Sequence, residues 1–250
     1  MVTKPPTINV LVTGFGPFPD GKGGHHTVNA SHEITFLLPS TLEPHTPSNP
    51  SSAHITLLNP TAGRYSYLRT EYAYIRWYLS DLHASSCTEV TLYVHLGMAA
   101  GWSHVAVERA AFRQGFSSAW SDGGSRYYTR PDDVGQTVDD VGACPWEKCP
   151  VGLAPDVDVD GVVEDARAVL SARGVFEGQR GKGMEIVPHE EAGSYCCGYT
   201  FYESLAHRYS KGLKRNVLFV HVPGETDRAS LERARDAVLA VIVAAVQKLV

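Results

Sequence analysis

Three short runs dominate the chain: Ile8 to Thr13 (INVLVT), Glu89 to Leu96 (EVTLYVHL) and Asn216 to Val222. Each is β-branched, strongly apolar and closed by glycine or proline, so each reads as a strand of a sheet. His54 to Leu58 and Val105 to Phe112 have weaker strand character, and the central strand is expected to stop at Gly97. Helical spacing fills the intervals. Asn29 or Ser31 can cap a helix through Leu38, and Leu68, Tyr72, Ile75, Tyr78/Leu79 and Leu82 share one face of a helix over Ser66 to Leu82. Val162 to Leu170, Ser194 to Tyr209 and a terminal stretch from Ser230 to Leu249, started by a Ser cap, complete the pattern. Strands alternating with helices predict an α/β fold with a mostly parallel sheet. Ligand sites in such folds lie at strand C-terminal ends, which directs attention to the residues just after Thr13 and Leu96.

The 250 residues, 43% of them hydrophobic, suffice to bury roughly three quarters of the unfolded surface, which excludes a disordered chain. Residues 1–250 read as a single domain without internal repeats. Two stretches lack periodicity: 40–53, rich in Ser, Thr and Pro, and about 117–155, where Asp, Gly, Pro and two cysteines predict a surface excursion, not a second core. Lys and Arg number 22 against 27 Asp and Glu, without basic clusters, so no nucleic-acid partner is expected. The longest apolar run, Ala237 to Val246, is about half of what a membrane span needs, and Lys4, Pro5 and Pro6 precede no leader-like apolar segment. Five cysteines are too few for a disulfide scaffold, so a reducing, cytoplasmic setting is expected; a homo-oligomer is compatible with all of this.

Several motifs invite chemistry. Gly14-Phe15-Gly16 follows a strand as a dinucleotide loop would, but Pro19 stands where the third glycine belongs and no acidic residue follows a second strand. Phe15 and Phe18 can instead offer ring faces to a flat ligand, or simply plug the sheet end. Cys144 and Cys149 lack a second ligand pair for zinc, His25-His26 being a poor one, and read as exposed thiols or a local bridge; Cys87 reads as packing. No metal is implied. Cys196-Cys197 enters a helical pattern after a Gly-containing turn, where first-turn N–H groups and the helix dipole favour a thiolate, although most cysteines at such positions are inert. His221 closes an apolar strand before Pro223-Gly224, a place for a satisfied histidine or for a general base. Glu108, a carboxylate within VAVERAA, is either ion-paired at a strand edge or the orienter of an imidazole. Together these three supply nucleophile, base and orienter.

Those residues fall in blocks that resemble pyroglutamyl-peptidase I, a family of cysteine omega-peptidases, in its eukaryotic-type branch. LVTGFGPF at 11–18, Val28-Asn29-Ala30-Ser31, HLGMAAG at 95–101 with VAVERAAFRQGF at 105–116, AGSYCCGYTFYESL at 192–205 and LFVHVP at 218–223 match its ordered blocks. The resemblance implies a three-layer α/β/α sandwich of the phosphorylase/hydrolase-like type, with a mostly parallel or mixed sheet. It places the catalytic Glu, Cys and His on Glu108, Cys197 and His221, with Phe15 and Phe18 enclosing the lactam ring of a pyroglutamyl-capped peptide, and it requires no cofactor. The chain departs from the family at Trp102, where bacterial members carry Arg, at Gly198, where Asn or Asp is common, and at Gly16, where many carry Glu. The departures at Trp102 and Gly198 motivate an alternative, a catalytically weak protein that binds pyroglutamyl-capped N-termini in the same pocket. A nucleoside phosphorylase on a similar sheet is disfavoured by the lack of a phosphate loop or Arg cluster.

Overall fold

The computed structural model describes residues 5–20, 24–59, 67–85, 90–113, 127–172 and 184–250. In chain order the elements are β1 (Thr7–Gly14), β2 (Phe18–Pro19), β3 (His25–His26), α1 (Ala30–Leu37), β4 (Thr41–Leu42), β5 (His54–Leu58), α2 (Tyr72–Ser85), β6 (Leu92–Ala99), β7 (His104–Glu108), β8 (Ala111–Phe112), β9 (Gly152–Leu153), α3 (Val159–Ala172), β10 (Glu185–His189), α4 (Cys196–Ser210), β11 (Val217–Pro223) and α5 (Arg228–Gln247). Among the described residues one seven-stranded sheet runs in the order β10-β7-β11-β6-β1-β5-β4. β5, β1, β6 and β11 are parallel neighbours, whereas β7 runs antiparallel to β11 and β4 antiparallel to β5. Helices α1, α3 and α5 cover one face, and α2 and α4 the other. This is the expected α/β/α sandwich with a mostly parallel, mixed sheet.

Alternation along each strand sends different chemistry to the two faces. Leu92, Val94, Leu96 and Met98 of β6 point to the α1/α3/α5 side with Leu218, Val220 and Val222 of β11. Tyr93 of β6, with Val217 and Phe219 of β11, points to the α2/α4 side. The row on that side continues with His95 and Gly97 in β6, Ala106 and Glu108 in β7, and His221 in β11.

The structure revises several boundaries. The helix expected from Ser66 begins at Tyr72, and Leu68 instead bridges Phe15 beyond β1. What fixes that start is distant in sequence: the Asp132 carboxylate accepts the Tyr72 N–H at 2.9 Å. β6 passes through Gly97 to Ala99, because its neighbour β11 continues to supply backbone partners there. The strand expected over Val105 to Phe112 is two strands, β7 in the main sheet and β8 paired with β9. The cap of α5 is Asp227, whose carboxylate accepts the Ser230 N–H, and not Ser230 itself. β10 was not expected. It is five residues long and contains Pro188, which suits it to the edge position it holds.

The described part of the 117–155 excursion, residues 127–155, is more than surface. Tyr128, Trp146, Cys149 and Leu153 are buried in the core beneath it. Trp146 donates its indole N–H to Glu203 at 2.7 Å, and the Tyr202 hydroxyl donates to the Pro150 carbonyl. These contacts roof α4, which explains why a 15-residue helix is buried on nearly every side. Cys144 and Cys149 are free thiols, Cys149 buried, so neither a bridge nor a pair of exposed thiols describes them. Cys87 lies outside the described residues.

Candidate active site

α4 begins at Cys196, so Cys197 occupies the first helical turn as expected. α1 and α5 have side-chain caps, Asn29 and Asp227, but the α4 N-cap is Tyr195 and makes no side-chain cap hydrogen bond. First-turn N–H groups there remain available to a developing negative charge. The turn is forced by glycine twice over. Gly193 has φ +81°, and a Cβ on Gly198 would stand 1.8 Å from the Gly193 carbonyl oxygen. The Asn or Asp common after the nucleophile therefore does not fit this loop conformation, which gives the Gly198 departure a local packing reason.

Cys197 and its neighbour differ in setting. Cys196 is 1% exposed, and burial pushes its thiol well above the usual cysteine range. Cys197 is only half-buried and lies over β6, where a Cβ on Gly97 would come within 2.9 Å of its sulfur. Gly97 in turn pairs with His221 across β6 and β11. The glycine thus opens a gap that seats the thiol beside the histidine strand. Among the described residues no hydrogen bond joins this thiol to His221.

The His221 to Glu108 contact is closed: Nδ1 lies 2.7 Å from Oε1, with Glu108 fully buried. Burial raises the Glu108 carboxyl to about 7, against the pull of His189, whose Nδ1 lies 2.8 Å from the other oxygen. Glu108 is not at a sheet edge, because β7 lies between β10 and β11. His189, which no sequence motif singled out, pairs with Glu108 in register across β10 and β7. Its signal was a short Met-Glu-Ile-Val-Pro-His run of strand type ending in a titratable residue. Trp102 lies among three imidazoles, with ring centroids 4.9, 5.0 and 5.7 Å from His104, His189 and His221.

The two phenylalanines take different places. Phe15 is 2% exposed within the α2/α4-side core, and its N–H is held by the Ser31 hydroxyl. Phe18 is half-buried against the opposite core, with its ring 4.8 Å from that of His26. The structure therefore brings Glu108, Cys197 and His221 into one neighbourhood and keeps Phe15 and Phe18 in separate packing clusters on one loop.

No family model matches the chain. Pyroglutamyl-peptidase 1 of Homo sapiens and of Mus musculus are each 25% identical to it over 214 residues, 86% of this chain and 78% of theirs. The chain is similar to pyroglutamyl-peptidase I. The fold agrees: pyrrolidone carboxyl peptidase from Thermococcus litoralis superposes with TM-score 0.65 at 16% identity, covering 97% of this chain and 94% of that one. The Pyrococcus furiosus pyrrolidone carboxyl peptidase gives 0.66 at 19% identity, with coverage of 97% and 100%. The fold likeness, over 97% of the chain, takes in the strands and the helix on which Glu108, Cys197 and His221 lie. Among the described residues no helix is long and apolar enough to cross a membrane, and no group of three His, Cys, Asp or Glu is placed to hold a metal ion.

Proposed function

We propose that this chain is a cysteine omega-peptidase that hydrolyses the amide bond after an N-terminal pyroglutamyl residue, with Cys197, His221 and Glu108 as its catalytic triad. The observation that carries the reading is the buried 2.7 Å Glu108 to His221 contact on the strand beside Gly97, over which Cys197 sits at the uncapped start of α4. With Glu108 ionised, His221 donates Nδ1–H to it, which leaves Nε2 as the base for the Cys197 proton. The thiolate attacks the carbonyl joining pyroglutamate to the next residue, and first-turn N–H groups of α4 receive the oxyanion. Each such donor is worth about 3 kcal/mol in sites of this kind, enough to offset an absent Arg at Trp102. Collapse expels the shortened peptide with a proton from His221, and water hydrolyses the thioester.

The pocket takes a neutral lactam and rejects a free ammonium, since burying an unpaired charge costs far more than burying an amide that finds its hydrogen bonds. Phe15 and Phe18 form its walls. Because Phe15 is buried, loop 15–18 adjusts when the ring enters. Residues 1–250 act as one domain, in the cytoplasm, where a reducing medium keeps Cys197 a free thiol. Release of a fluorophore from a pyroglutamyl amide tests the reading. Cys197→Ala is expected to lower kcat by at least about a thousandfold with an unchanged melting temperature, and retained activity in that variant overturns it.

A further inference from the structure

We infer that His189 is a positioning residue that acts through Glu108: its ring holds the second carboxylate oxygen and so fixes which nitrogen of His221 is free to take the thiol proton. The inference deepens the peptidase reading and rests on it for the role of His221.

Two contacts set the tautomer of His189. Its Nδ1 lies 2.8 Å from Glu108 Oε2 and 3.0 Å from the Glu191 carbonyl oxygen. A carbonyl oxygen only accepts, so a hydrogen bond to it requires the proton on Nδ1. That N–H is therefore shared between the carbonyl and Glu108, and Oε2 receives a hydrogen bond. The other oxygen, Oε1, faces His221 Nδ1 at 2.7 Å. With a donor on each oxygen the carboxylate is satisfied as an anion, although it has no exposed surface.

Without His189 the balance reverses. Burial is the largest influence on Glu108 and favours its neutral acid, while the His189 contact is what opposes it. A protonated Glu108 can donate to His221 Nδ1, which moves the imidazole proton to Nε2 and removes the base facing Cys197. His189 suits this task because it is reached from solvent, with 40% of its side chain exposed, whereas Glu108 is sealed.

Other groups around the pair do not replace it. From the β6–β7 turn and β7 come Trp102, an uncharged ring against His189, and His104, stacked on Trp102. Beside β10, Glu191 is hydrogen-bonded by the Tyr127 hydroxyl at 2.5 Å and raises the Glu108 carboxyl further. Arg109, next in sequence to Glu108, is committed to Asp160 of α3 and to Glu190, each at 2.6 Å. Among the described residues, His221 from β11 and His189 from β10 are thus the donors that reach the buried carboxylate.

The test follows alkylation of Cys197 by iodoacetamide from pH 5.5 to 9, read by mass spectrometry of its peptide, in the wild-type protein, His189→Ala and His189→Asn. An Asn amide offers its N–H near the position of imidazole Nδ1 but does not titrate in this range. His189→Ala is expected to move the alkylation limb about one pH unit upward, a roughly tenfold loss at pH 6.5 that vanishes by pH 9, and His189→Asn to return it to within about threefold of wild type. Slowing by one factor at every pH, no change in His189→Ala, or no recovery in His189→Asn overturns the inference. Circular dichroism identifies any variant that does not fold; should His189→Ala fail, His189→Leu supplies the donor-free arm. The readout needs no peptide substrate. The shifted limb with no cleavage of a pyroglutamyl amide would count against the substrate reading alone, and cleavage with an unshifted limb against His189 alone.

Discussion

The two faces of the sheet are written by alternate residues of the same strands, yet they differ in kind. Toward α1, α3 and α5 the core is aliphatic: in β6 it takes Leu92, Val94, Leu96 and Met98, and in α5 an unbroken buried run from Ala237 to Val246. Toward α2 and α4 the same strands present Tyr93, His95, Phe219 and His221, and the helices reply with Tyr72, Tyr78, Tyr199 and Tyr202. Polar groups there are buried but linked. Thr13 Oγ1 lies 2.8 Å from His95 Nδ1, His95 Nε2 lies 3.0 Å from Ser204 Oγ, and that hydroxyl lies 2.8 Å from His83 Nε2. Arg76 and Trp146 close on Glu203 beside this chain. Burying such groups contributes little net stability but leaves each one oriented. The aliphatic face therefore supplies the stability, and the polar face spends it on geometry.

Gly97 gives the sharpest break between the faces. A methyl group at this position would stand 2.7 Å from the Phe219 ring and 2.9 Å from the Cys197 sulfur, so Gly97→Ala must push the thiol or the ring aside. Its neighbour Leu96 is fully buried on the opposite face of the same strand. Gly97→Ala should cut turnover and Cys197 alkylation by about a hundredfold for a displacement near 1 Å, at a stability cost of about 1 to 3 kcal/mol. Leu96→Ala should cost about 2 to 5 kcal/mol in urea unfolding yet leave kcat of the folded protein within about twofold. Equal effects of the two on kcat would show that the faces are not separable.

That contrast also explains what could be read from sequence. Strands β1, β6 and β11 were legible because both of their faces are apolar enough to make continuous runs, as in LFVHVP, whereas β5 alternates and gave a weaker signal. Cys197, Glu108 and His221 stand out through motif blocks, each being out of character with its surroundings. What escaped depends on contacts across large sequence separations. Asp132 sets the start of α2 sixty residues away, and His189 has meaning only through Glu108, 81 residues earlier. The 117–155 excursion misled because Trp146 and Tyr128 are isolated aromatics in a polar stretch, and no periodicity announces that a roof buries them.

Acid should separate the faces next. Burial holds His95 down at about 3, His207 at about 4 and His83 well below the usual imidazole value. Each is neutral in the folded protein but binds a proton when unfolded below about 6.5, so stability is lost as pH falls from 6.5 toward those values. Glu108 acts the other way. Its raised carboxyl makes the folded form take up the extra proton between about 7 and 4.5, so it adds stability on acidification. Asp133, also raised by burial, acts with Glu108, but the three imidazoles outweigh the two carboxyls, and the melting temperature should fall between pH 6.5 and 4.5. Among the described residues the buried His207 Nδ1 has no hydrogen-bond partner, and its ring packs on His83 and Trp146. His207→Phe keeps a ring there and removes the titration. It should recover roughly 2 kcal/mol at pH 5, or ~4 to 8 °C, and change little at pH 8. A melting curve that stays parallel to wild type across this range would place the acid sensitivity elsewhere.

The smallest expected effect comes from Cys196, which tests how finely the polar face is divided. It adjoins the proposed nucleophile in sequence, but one helical step turns its side chain into the tyrosine cluster, where it is 1% exposed beside Tyr72 and Tyr195. Its thiol, pushed up by burial, forms little thiolate near neutral pH and has no line to an incoming carbonyl. Cys196→Ala should therefore cost only about 1 to 2 kcal/mol, the order for a small truncation in a packed site. Turnover and the alkylation rate of Cys197 should stay within about threefold of wild type. A variant that instead abolishes turnover while Cys197 still alkylates normally would move the nucleophile to Cys196, and with it the boundary between the structural and the chemical part of this face, by one residue.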